Sequence, residues 1–158
     1  MRKRPYYFAL AMVAVFVLSC SEKDHSAEAI EIVKGCESRN NSAVKNPSGK
    51  CTVGEFIAWT EDLKKKLVEM QSAGSKMEFI GSSWGAWREE GGSYYLVVYN
   101  TKAKNIHGVL DEMDHKWRVD FKEKKIKPLN IKATVMIDLR VAYDVSAGKT
   151  SLEDLGWY

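Results

Sequence analysis

The chain has 158 residues, with 24 Lys and Arg against 21 Asp and Glu, a formal net charge of +3. That length suits one domain with a hydrophobic core of its own. Three of the basic residues, Arg2, Lys3 and Arg4, stand at the very start; beyond residue 19 the balance is 21 basic to 21 acidic side chains, which removes the basic excess a nucleic-acid partner requires.

Behind the basic start runs the uncharged stretch Tyr6 to Leu18, and Val17-Leu18-Ser19-Cys20 closes it. A basic opening, an apolar core of about 7–15 residues and a small residue before the cut describe a secretory signal. The core is shorter than the roughly 20 apolar residues that span a bilayer. The closing tetrapeptide resembles the bacterial lipobox: an aliphatic residue, a tolerant position, a small residue, then a cysteine. The resemblance implies thioether attachment of a diacylglycerol to Cys20, acylation of the palmitate type and a lipoprotein held in the cell envelope. Leu18 is bulkier than is usual in that pattern. Ser21, with no Asp at that place, implies an outer membrane facing the periplasm if the organism is Gram-negative. Residues 1–19 are thus expected to be a signal peptide, 20–26 a tether and 27–158 a single domain.

Ala27, Ile30 and Val33 recur at helical spacing before Gly35. Cys36 and Cys51 flank the turn-rich "ESRNNSAVKNPSGK". As the remaining pair of cysteines in an exported chain they are expected to form a disulfide, stabilising the fold by about 3 kcal/mol through loop closure. Thr52 and Glu55 make a capping box. Phe56, Trp59, Leu63, Leu67 and Met70 then form one apolar stripe, predicting a helix over residues 53–71.

From Met77 the period falls to two. Residues 84–90, 93–101, 107–113 and 116–122 read as four strands, with turns at Glu90-Gly91-Gly92-Ser93, Lys104-Asn105 and Asp114-His115. Trp117, Val119 and Phe121 alternate with Arg118, Asp120 and Lys122. The lysines of 122–127 suit an exposed edge, and Pro128 breaks the ladder. Ile131, Ala133, Val135, Ile137, Leu139 and Val141 predict a fifth strand, although Asn130 as an N-cap would suit a helix. The fold class is α+β: an N-terminal amphipathic helix packed on a curved antiparallel meander of four to five strands. By order of elements alone it is similar to the cystatin and nuclear-transport-factor-2-like folds.

Chemical motifs are sparse. Gly148-Lys149-Thr150 lacks the glycine a phosphate loop needs, since Tyr143 holds that place. His107, Asp111, Asp114 and His115 would share a metal only on a helix; on strands, four residues span about 13 Å. No strand-to-helix nucleophile elbow is read and no free thiol is expected, so no catalytic residue, metal or cofactor is assigned. The aromatics stand out instead. Trp84, Trp87, Tyr95 and Tyr99 form the candidate binding face, on a sheet whose second strand is apolar on both sides. The function expected is a non-enzymatic, lipid-anchored envelope protein that binds or scaffolds another protein. A periplasmic carrier holding a small apolar ligand between helix and sheet is the alternative, and a hydrolase the third.

Overall fold

The computed structural model describes residues 24–40, 50–71, 74 and 76–158; the expected signal segment and Cys20 lie outside them. In chain order the elements are α1 (Ser26–Gly35), β1 (Glu37–Ser38), β2 (Cys51–Thr52), α2 (Val53–Glu69), β3 (Glu78–Arg88), β4 (Tyr94–Lys104), β5 (Leu110–Asp120), β6 (Lys125–Pro128), α3 (Ile131–Ile137) and α4 (Leu139–Ser146). The class is α+β. β1 and β2 make a two-residue ladder, and β3 to β6 form an antiparallel sheet in sequence order.

The capping box forms as its residues predict. The Thr52 hydroxyl accepts from the Glu55 N–H at 3.2 Å, and the Glu55 carboxylate accepts from the Thr52 N–H at 2.8 Å. Val53, Phe56 and Ile57 of α2 are buried, but its apolar stripe then leaves the core, with Met70 82% exposed. The shorter α1 instead touches all four strands of the larger sheet, burying Ala29 and Val33. Small side chains on α1 let it lie close, so the covering helix is not the long one.

Two expectations about the sheet are corrected. The third and fourth strands are one, β5, and Asp114-His115 is no turn: Tyr99 of β4 pairs with His115 at mid-strand. His115 is buried there, while the Asp114 side chain on the opposite face accepts from Asn100 Nδ2 at 2.6 Å. The sheet's fourth strand is β6, in which Pro128 is the last paired residue. The segment expected as a fifth strand is helical. Asn130 Oδ1 accepts from the Ala133 N–H at 2.9 Å, and Ala133, Thr134, Met136 and Ile137 are buried together, a helical spacing. The turns at 90–93 and after Lys104 do form. In the second, Asn105 Oδ1 accepts from the N–H groups of His107 and Val109, and Gly108 takes a φ of 77°.

Side chains of Tyr95, Val97, Tyr99, His115, Trp117, Val119 and Ile126 fill the face of the sheet under the helices. Tyr158 lies beyond β6, exchanging backbone bonds with Ile126.

Candidate functional site

Register decides which aromatics can meet a partner. Trp84 stands opposite Tyr99, and both turn toward the helices. The Trp84 ring lies 4.8 Å from Tyr99 and 6.0 Å from Trp117, with the Lys34 ammonium 5.5 Å above it. Tyr95 is 5% exposed and Tyr99 1%. The candidate face is therefore corrected: Tyr95 and Tyr99 are core, and Trp84 is half-buried beside them.

Trp87 is on the other face. It is 57% exposed, opposite Leu96, which in turn faces Arg118. Gly85 shapes its position, because a Cβ there would come within 2.5 Å of the Trp87 ring. Val98 continues the apolar strip opposite Gly85. At its lower end Tyr94 stacks on Trp157 at 5.7 Å, with the Arg118 guanidinium 5.9 Å from the Tyr94 ring. Ion pairs rim this strip: Arg118 to Glu89 at 2.8 Å and Lys102 to Glu112 at 2.8 Å. An apolar centre inside a charged rim is the usual anatomy of a protein-binding patch. The candidate face expected from the sequence left out Tyr94, Leu96, Arg118 and Trp157. Alternation along β4 ties Tyr94 and Leu96 to one face, but nothing local brings Trp157 to it.

An open cleft of about 570 Å³ lies where α1 begins, lined among others by His25, Arg88, Tyr94, Tyr95, Phe121 and Lys122. His25 packs on Phe121 with ring centres 4.6 Å apart. Its walls mix both charges and hold neither a thiol nor a paired base and nucleophile.

A polar group is buried under α2. The Tyr99 hydroxyl donates to Glu61, and burial raises its pKa, assisted by that carboxylate. His115 Nδ1 lies 3.2 Å from the Tyr99 carbonyl, and burial pushes its pKa down to about 4. Both groups are thus held neutral. Of the four residues weighed as metal ligands, Asp114 and His115 point to opposite faces of β5 and His107 sits in the turn before it.

Cys36 and Cys51 come to the β1–β2 ladder as free thiols. Ser38 pairs with Cys51, and the Val53 N–H donates to the Cys36 carbonyl at 2.8 Å. The two cysteines are therefore diagonal neighbours on one side of the ladder. Burial pushes the Cys36 thiol up to about 11 and raises that of Cys51. Set against known family models, curated proteins and solved structures, the chain matches none.

Proposed function

We propose that this chain is a non-enzymatic envelope lipoprotein, anchored through Cys20, that binds another envelope protein through the helix-free face of its sheet. The observation that carries the binding reading is Trp87, an exposed indole in an apolar strip with a charged rim. Aromatic anchors of this kind supply most of the energy at protein interfaces. The anchor reading rests on the basic start, the short apolar core and the Ser19-Cys20 junction. Three residues lie between Cys20 and Asp24, four steps of extended chain or at most about 14 Å, so the bound partner lies close to the same membrane.

The test uses Trp87→Ser in the full chain, captured from its native envelope beside the unchanged protein. The variant should lose the captured partner while unfolding within about 1 kcal/mol of the parent, as exposed substitutions do. An unchanged captured set would end the binding reading. Cys20→Ala should leave an uncleaved or mislocalised precursor; normal processing and anchoring of that variant would end the address reading.

A further inference from the structure

The two edges of the larger sheet are built differently. β6 has four residues, carries Lys125, Lys127 and Pro128, and has its outer side taken by Tyr158, whose N–H and C=O exchange bonds of 2.8 and 3.0 Å with Ile126. Short length, lysine, proline and a covering segment all keep an edge from pairing with another chain. β3 has eleven residues and neither Lys nor Pro. Among the described residues no strand pairs with its outer side. Its one register shift, between Phe79 and Gly81, is confined to its start.

The hydrogen-bond pattern fixes which backbone groups face outward. The Glu89 N–H donates to the Tyr94 carbonyl at 2.9 Å, so 89 and 94 are a hydrogen-bonded pair. Such pairs alternate along an antiparallel ladder. Trp87 with Leu96, Gly85 with Val98 and Ser83 with Asn100 are then the bonded pairs. The N–H and C=O groups of Ser82, Trp84 and Ala86 point away from β4. The rest of the sheet agrees: Asn105 N–H donates to Val109, Leu129 N–H donates to Lys116, and the same alternation turns Ile126 outward to Tyr158.

We propose that β3 pairs antiparallel with β3 of a second copy of this chain, about a two-fold axis at Gly85, to give one eight-stranded sheet. An extended backbone is what the outward groups of Ser82, Trp84 and Ala86 can bind, and the side chains select the copy. With Gly85 on the axis, Trp84 stands opposite Ala86 of the second copy on the helix side. Trp87 stands opposite Ser83 of the second copy on the outer side. Each large side chain meets a small one, and the symmetry repeats both pairings. Sliding the axis to Trp84 would set two indoles directly against each other, so size selects the register. Trp84 and Ala86 of opposite copies exchange both backbone bonds. The pairing uses β3 alone and stands whether or not Cys20 carries a lipid or the outer face holds a partner.

Cysteine crosslinking tests it in the full chain. Ser83 and Trp87 are about 13 Å apart within one strand, too far to link internally. In the dimer they face each other at a non-hydrogen-bonded position, about 4.5 Å between Cα atoms, within reach of a disulfide. The double variant Ser83→Cys/Trp87→Cys should shift to twice the chain mass on oxidation, while each single variant and the parent with its native cysteines stay at chain mass. Adding Ala86→Pro removes an outward N–H without touching the bonds to β4, and should abolish the linked product with the circular dichroism unchanged. If that variant unfolds, Ser82→Pro removes another outward N–H and serves the same end. The proposal is overturned if the double variant stays at chain mass or if Ser83→Cys alone links as well. A linked product carrying another protein's mass, or linkage surviving the proline in a folded chain, overturns it equally.

Discussion

Between Tyr99 and Trp117, with ring centres 5.3 and 6.2 Å away, the imidazole of His115 has little access to water. Burial lowers its pKa to about 4; the nearby Lys64 and Lys132 push the same way, while the Tyr99 carbonyl and Asp114 oppose them. In the unfolded chain the group titrates near 6.5. As the pH falls the unfolded state takes up the proton first, so the stability that goes with the neutral ring is complete above about 6.5 and is lost between there and about 4, at up to about 1.4 kcal/mol per pH unit. Urea unfolding at pH 7, 6, 5 and 4.5 should show that decline, and His115→Gln should flatten it. Equal slopes in both proteins would mean that other groups carry the acid sensitivity. This residue was hard to read in the sequence because Asp-His looks like a turn, and only its alternation with Trp117 and Val119 marks it as strand. Tyr95 and Tyr99 posed a different difficulty. Leu96 and Val98 between them are also apolar, so no polarity contrast told which side of β4 was covered.

At the scale of elements, α2 was legible from its capping box and stripe, whereas α3 was not. Residues 131–141 alternate strictly enough for a strand, yet Ala133, Thr134, Met136 and Ile137 are the residues that bury, and a threonine inside and a valine left half-buried break the period-two reading. The local cue was Asn130, whose side chain accepts from the Ala133 N–H and donates to the Asp114 carbonyl at 2.9 Å. Asn130→Ala removes both bonds and should cost about 1–2 kcal/mol of unfolding free energy. A change below about 0.3 kcal/mol, the size of an ordinary surface effect, would show that packing alone fixes α3. The β1–β2 ladder makes a chemical forecast as well. It holds Cys36 and Cys51 on one side, at diagonal positions roughly 7–8 Å apart, slightly beyond the span of a disulfide. Oxidation therefore needs only a small shift of this short ladder. Mass analysis of protein purified from its native cells, alkylated without reductant, should find the pair unmodified and bonded; two alkylated thiols would show that these raised-pKa thiols resist oxidation.

On the scale of the whole molecule, the order of helix and meander could be read along the chain, but the closure of the sheet could not. It depends on Tyr158 meeting Ile126 across 32 positions, by backbone bonds that leave no mark on composition or period. Alternation then sends the two neighbouring rings to opposite sides: Trp157 stacks on Tyr94 of the outer face, while Tyr158 packs against the core with the Arg39 guanidinium 5.8 Å from its ring. Removing residues 157–158 takes away two backbone bonds at about 1 kcal/mol each. It also uncovers a half-buried ring worth roughly 1–2 kcal/mol of apolar burial, so the unfolding free energy should fall by about 3–4 kcal/mol. Trp157→Ser alone, at a 40% exposed position, should cost less than about 1 kcal/mol. The truncation should also free the N–H and C=O of Ile126 on an edge then guarded only by Lys125, Lys127 and Pro128. A rise in light scattering with protein concentration, absent from the Trp157→Ser variant, would show that the Tyr158 backbone had been shielding that edge. If the truncated chain unfolds within about 0.5 kcal/mol of the parent and scatters no more, Tyr158 merely rests on β6 and the short strand guards itself.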